Sequence, residues 1–299
     1  MRNISLEDLK LFNLTCGDIS NIEAYIINEF GNIVYAISFS KTLYTIQFTK
    51  DWQSITQVES KDLSSDMIEQ QEILKIHLLR YNNSIIIILK DGFIFKYDIL
   101  AEQLEEIGEQ DEGFNAAELS PNEELLVVAT GTGQNSLALF NKDFELLDEK
   151  PITEDLGFCD KKLLSVKIVW RYDSEFFNVL VKTEDGCKSI TKDKNLNTFM
   201  SPAKSDVEEE GLVQSMTEKW RKSVVGSCLG WMPNGSLIMS NDEKVLKNGK
   251  KEARIIFWEK NSLRHGEFRL PYIGKNQEQN STESNLQVLD LTWNKTTQI

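Results

Sequence analysis

The chain has 299 residues, 40% of them apolar, with a formal net charge of −14 and a pI near 4.8. That is core enough for one large domain or two ordinary ones, so global disorder is excluded. The acidic balance argues against generic nucleic-acid binding, which needs a basic footprint, and leaves only a local basic patch open.

The opening MRNISLEDLKLF carries charge throughout and reads as neither a signal peptide nor a membrane anchor. No later window approaches the roughly 20 apolar residues of a membrane span. Cys16, Cys159, Cys187 and Cys228 form no C-x-x-C pair, and His77 and His265 are the only histidines, so no structural zinc site is expected. Scattered cysteines fit a reducing compartment, and the expectation is a soluble intracellular protein.

In chain order, a degenerate repeat emerges. A weak, poorly formed first copy, EAYIINEFGNIVYAIS, surrounds Ile27. Clearer copies follow in KIHLLRYNNSIIIIL, NAAELSPNEELLVVA, VKIVWRYDSEFFNVL and SCLGWMPNGSLIMS, and QVLDLTWNKTTQI opens another. Aligned on Leu79, Leu119, Trp170, Trp231 and Trp293, they are spaced by 40, 51, 61 and 62 residues. Each copy has a strand, then a turn rich in Pro, Asn, Asp or Gly, such as SPNEE, RYDSE or MPNGS. A strongly apolar second strand comes next (SIIIIL, LLVVAT, FFNVLV, SLIMS), then a third (GFIFKYD, SLALFNKD, CKSITKD, ARIIFWEK). The ends KYD, NKD, TKD and WEK read as polar turns into a fourth strand.

Four strands per unit at this period predict an all-β, WD-repeat-like β-propeller. Fully apolar second strands suit sheets covered on both faces. The alternative, a sandwich or barrel, shows turn signals without the fourfold super-period. About five complete four-stranded blades plus partial ones are expected in a single domain over residues 1–299, with a ring unclosed within this sequence. Such a ring exposes a sheet edge, so the sequence is expected to be the N-terminal portion of a longer protein or an open propeller completed by a partner. Only LEDLKLF and LVQSMTEKWRK have helical spacing. The second lies in a polar insertion over residues 195–222, which reads as a mobile loop with a transient helix or as a recognition helix with Leu212, Met216 and Trp220 on one face.

FWEKNSLRHGEFRLP, followed by VLDLTWN, resembles the N-terminal propeller of the largest subunit of the Elongator complex. Members of that family carry a turn close to K-N-G-L-R-H-G-E-F and then an Asp-Leu-x-Trp-Asn-like strand. MRNISL, WMPNGSLI and NKDFELL match the family's style as well. The signature residues here are Asn261, Leu263, Arg264, His265, Gly266 and Phe268, with Ser262 in place of the family's usual glycine. The resemblance implies a non-catalytic scaffold that binds no cofactor. It would position the catalytic subunit, beside a second propeller subunit, in modification of the tRNA wobble uridine. It also implies work in the cytoplasm, with the nucleus as a second compartment, and no membrane partner.

Four stretches invite chemistry. His265 has no Cys, Asp or second His near it in a ligand or triad pattern, so it reads as part of a blade-to-blade turn. GTGQNS, Gly131 to Ser136, lacks the third glycine, lysine and helix of a phosphate loop and reads as a hairpin turn. KVLKNGKKEAR gathers Lys244, Lys247, Lys250, Lys251 and Arg254 around an Asn-Gly turn. It is either a solvated tip or a peripheral contact with tRNA phosphates or an acidic partner; no aromatics are interleaved for base stacking. Tyr97 to Asn141 holds ten acidic residues and no Lys or Arg, as a solvated rim or a docking face for a basic partner. The rival classes are another intracellular propeller scaffold, of the vesicle-coat or nuclear-transport kind, and a propeller enzyme with residues converging on a channel. Two dispersed histidines speak against the enzyme, and the Asn261–Phe268 string separates the Elongator reading from the other scaffolds.

Overall fold

A computed structural model describes residues 21–64, 68, 71–131, 135–152, 163–183, 186–200, 224–245, 251–259 and 264–270. Its elements over these residues are twenty strands in five four-stranded sheets, and each sheet is an antiparallel meander. They belong to two compact units, Met1–Asp111 and Glu112–Ile299. No helix among the described residues is long and apolar enough to cross a membrane.

Unit 1 holds the first sheet, β1 (Ile22–Asn28), β2 (Ile33–Ser38), β3 (Thr42–Phe48) and β4 (Ile55–Asp62). It also holds the second, β5 (Ile73–Leu79), β6 (Ser84–Leu89), β7 (Phe93–Asp98) and β8 (Gln103–Glu109). The copy around Ile27, expected to be poorly formed, is therefore a complete sheet. Its repeat is faint because β1 and β4 are only partly buried, so selection for apolar residues there is weak. The two sheets pack through Tyr35, Ile37 and Leu43 against Ile76, Leu78, Ile85, Ile87 and Leu89. All six residues of β6 are buried, which is why SIIIIL has no polar alternation.

One ion pair is sealed inside unit 1. Lys41 Nζ donates to Glu23 Oε2 at 2.5 Å, and each side chain keeps only 4% of its surface exposed. The other carboxylate oxygen, Glu23 Oε1, accepts the backbone N–H of Ile73 at 2.6 Å. Glu23 thus links the first strand of one sheet to the first strand of the next.

Unit 2 holds the third sheet, β9 (Phe114–Leu119), β10 (Leu125–Thr130), β11 (Ser136–Asn141) and β12 (Leu146–Pro151). The fourth is β13 (Leu163–Trp170), β14 (Phe176–Thr183), β15 (Gly186–Asp193) and β16 (Thr198–Met200). The fifth is β17 (Val224–Trp231), β18 (Leu237–Val245), β19 (Lys251–Glu259) and β20 (Arg264–Arg269). Residues 195–197 form the turn into β16, so the first six positions of the expected insertion complete a blade. Residues 201–223, with Leu212, Met216 and Trp220, lie outside the described residues, as does LEDLKLF.

Period-2 alternation on β14 divides two cores. Phe177, Val179 and Val181 face the third sheet's Val127, Ala129, Leu137 and Leu139, while Leu180 faces Trp231, Ile238, Ile256 and Trp258 of the fifth. Trp170 Nε1 donates to the Glu118 carbonyl at 3.0 Å, tying β13 to β9.

Candidate partner-binding surface

A four-stranded meander places its first and third turns at one end and its middle turn at the other. At the first-turn end all five sheets reuse one device. A single residue with positive φ closes each turn: Asn32, Asn83, Glu123, Ser174 and Gly235. In unit 2 the hydrogen bonds are also the same. Glu123, Ser174 and Gly235 donate their N–H to the carbonyls of Ser120, Arg171 and Met232 at 2.8, 3.0 and 2.8 Å. The preceding Asn122, Asp173 and Asn234 side chains accept the N–H two residues on, at 3.3, 3.1 and 3.0 Å. These Asx turns are why SPNEE, RYDSE and MPNGS were readable as one signal.

Adjacent turns also touch. Asn122 N–H donates to Ser174 Oγ at 3.1 Å. Arg171 forks onto Asp173, Nε to Oδ1 at 2.9 Å and Nη2 to Oδ2 at 2.6 Å, and lies over the Phe176 ring at 4.2 Å and Trp231 at 5.9 Å. A Cβ on Gly235, at φ +70°, would stand 2.8 Å from Arg171 Cδ. Gly235→Ala therefore both strains the backbone and displaces a pinned arginine. It is expected to cost about 1–2 kcal/mol, read as a lower urea midpoint at unchanged m-value.

The hydrogen bonds from Arg171 hold the Asp173 carboxyl below the usual carboxylate range. A depressed folded pKa adds stability above the unfolded value and loses it as pH falls through the folded one. The urea midpoint of Asp173→Asn is thus expected below wild type at neutral pH, with the gap closing from about pH 5 towards pH 2.

The fifth sheet carries the family-like string. Asn261 and Leu263 fall between β19 and β20 in sequence and lie outside the described residues. Arg264 begins β20. His265 lies on that fourth strand, so the blade-to-blade turn expected for it is corrected: it is part of a strand within one sheet. It is exposed, and its Nδ1 is 3.4 Å from Glu259 Oε1. Phe268 is half-buried, paired in register with Ile255. Nothing lies within 4 Å of a Cβ built on Gly266.

The basic hairpin is the β18–β19 turn, at the opposite end of the sheet from Gly235. Its register sets Lys244 opposite Glu252 and Val245 opposite Lys251; Lys247 and Lys250 lie outside the described residues. Arg254 separates from this group. Alternation puts it on the face of Ile256 and Trp258, it is buried, and its Nη1 donates to Glu267 Oε2 at 2.5 Å. Gly131 and Ser136 flank the β10–β11 connection, whose residues 132–134 are not described.

The acidic stretch serves local structure in part. Asp98 Oδ1 accepts the N–H groups of Leu100 and Ala101 at 2.9 and 2.8 Å, and Glu102 pairs with Lys61. Glu105, Glu106 and Glu109 are exposed on β8, the outer strand of its sheet. A depression of about 390 Å³ beside them is lined by Lys96, Asp98, Gln103 and Glu105. Among the described residues no group of three or more His, Cys, Asp or Glu side chains is arranged to hold a metal.

Comparison with known proteins converges on one family. A family model described as the ELP1 first N-terminal beta-propeller matches residues 1–166 and again residues 156–299. The chain belongs to this Elongator complex protein 1 propeller family. It is similar to the rabbit (Oryctolagus cuniculus) Elongator complex protein 1, 26% identical over 74% of this chain and 17% of that protein. Its match to the Arabidopsis thaliana protein of that name is 26% identical over 88% of this chain and 18% of that one. A shorter stretch, 36% of this chain, is 34% identical to the Saccharomyces cerevisiae protein. The chain thus spans less than a fifth of the length of these relatives. Among solved structures it superposes on a chain of Kuenenia stuttgartiensis hydrazine synthase with a TM-score of 0.55 at 11% identity, over 87% of this chain and 70% of that one. That likeness carries the fold alone.

Proposed function

We propose that this chain is a non-catalytic propeller scaffold of an Elongator assembly, supporting tRNA wobble-uridine modification by positioning the catalytic subunit. The family match over both halves of the chain is the observation that carries the reading. The fold is suited to it: hydrogen-bonded sheets hold turns of fixed geometry, and the turn side chains are free to vary with the partner. In this reading the partners are the catalytic subunit and a second propeller subunit, the chain holds no cofactor, and it works in the cytoplasm and the nucleus.

The test is loss and rescue. Cells lacking the gene should lose wobble-uridine side-chain modification by nucleoside mass spectrometry and regain it with the intact gene. Full modification without the gene would overturn the proposal.

A peripheral tRNA contact is the finer part of the proposal, favoured by the hairpin register that carries Lys244 and Lys251 out to the β18–β19 tip. Replacing Lys244, Lys247, Lys250 and Lys251 by Glu is expected to weaken tRNA binding by the purified assembly about tenfold at low salt and to flatten its salt dependence. Arg254 stays untouched in this variant, because its side chain is buried against Glu267.

A further inference from the structure

The turn device explains its left-handed and Asx residues, but not the residue two places before the left-handed one. That place holds Phe30, Tyr81, Pro121, Tyr172 and Pro233 in the five sheets. Proline suits it by its fixed φ; the turn dihedrals set no requirement for an aromatic ring there. Yet Phe30 is 83% exposed, Tyr81 59% and Tyr172 66%.

In unit 1 the exposed rings join into one surface. Arg80 Cζ lies 5.8 Å from the Phe30 ring centroid, so the first turns of the two sheets meet. The Ile99 N–H donates to the Asn83 carbonyl at 3.1 Å, which holds the β7–β8 turn against the turn of Tyr81. That second turn presents Leu100, 80% exposed, and leads through Glu102 into Glu105 and Glu106 on the outer strand. Three large apolar side chains thus line one end of the unit, with Arg80 between the two turns and carboxylates along the outer strand. Phe39, also exposed, sits in the β2–β3 turn at the other end of its sheet.

Exposed apolar surface rimmed by charge marks a docking site. The charge selects the occupant. Between Asn21 and Asp111 there are fifteen acidic and seven basic residues. Lys41, Lys61 and Lys90 are already engaged by Glu23, Glu102 and Glu72. A second copy of this chain would bring a formal charge of −14 against the same sign.

We infer that the Phe30–Tyr81–Leu100 end of unit 1 docks a basic segment of another protein. Apolar residues of that segment seat on the three side chains, and its lysines or arginines face Glu105 and Glu106 on the outer strand. Arginine has the further option of stacking on Tyr81.

The experiment is site-specific photocrosslinking in cells, with benzoylphenylalanine introduced in the full-length gene product at Phe30, Tyr81 or, as the control, Phe39. The expected result is that positions 30 and 81 crosslink to one shared protein segment with more Lys and Arg than Asp and Glu. Yield at 81 should fall about tenfold on Leu100→Ser, the loss of one anchoring side chain, and fall again in about 0.5 M salt. Circular dichroism and the urea midpoint of Leu100→Ser should match wild type, since Leu100 is exposed. Crosslinks to RNA, to a second copy or to an acidic segment would overturn the inference. Equal yield at Phe39, no crosslink at 30 and 81, or no effect of Leu100→Ser would do the same.

Discussion

Phe177→Ala is expected to lower stability by about 3–5 kcal/mol, the range for emptying a buried aromatic site. Phe177 is 0% exposed, and its ring centroid is 4.9 Å from that of Trp170. It stands between the third and fourth sheets with Val127, Leu139 and Val179, on strands whose backbones cannot close the gap without breaking ladder hydrogen bonds. Equilibrium urea unfolding followed by tryptophan fluorescence measures it directly. A loss under about 1 kcal/mol would mean that β14 is not clamped between two sheets.

Lys41→Met is expected to do comparable damage by a different route. The substitution leaves the Glu23 carboxylate buried with only the Ile73 N–H to satisfy it. Removing one partner of a sealed ion pair costs about 3–5 kcal/mol, because the survivor's desolvation is no longer offset. Adding Glu23→Gln to Lys41→Met removes the orphaned charge while keeping an oxygen for Ile73. The double variant should therefore recover most of the loss, and the cycle separates the pair from simple packing. If the two substitutions add instead, Glu23 and Lys41 act independently.

The contrast between these two sites shows what the sequence can reveal. Phe177 lies in FFNVLV, a run apolar enough to mark a strand covered on both faces. The Glu23–Lys41 pair was not legible: both residues look like ordinary surface charges, and only the meander brings them together across 18 positions. The turn grammar was legible because Asn, Asp, Pro and Gly act through their own side chains and dihedrals within five residues. His265 was misplaced for a related reason. Arg264, Glu267 and Arg269 give β20 the polarity of a loop, which is also the polarity that an outer strand needs to resist edge pairing. Arg254 could have been separated from the neighbouring lysines by counting in twos from Ile256 and Trp258. Exposure of Phe30, Tyr81 and Leu100 has no signal in the sequence, because aromatic and leucine residues in a β-rich chain have the composition of core.

Of the candidate site, the family-like string and the basic hairpin were visible in the sequence and both fall on the fifth sheet. Their spatial relation was not visible. The string runs across the β19–β20 connection and along β20 as far as Phe268, which pairs with Ile255, while Lys244 and Lys251 lie at the β18–β19 end of the sheet. Each must be tested by its own substitutions.

The most direct test of the scaffold reading is purification of the tagged full-length gene product from its own cells, with the co-purifying proteins quantified by mass spectrometry. The account predicts the other Elongator subunits, the catalytic one included, in near-stoichiometric amounts. It further predicts reduced recovery when Asn261–Phe268 is scrambled in a protein that still gives a β-rich circular dichroism spectrum. A folded protein that emerges without those subunits would contradict it.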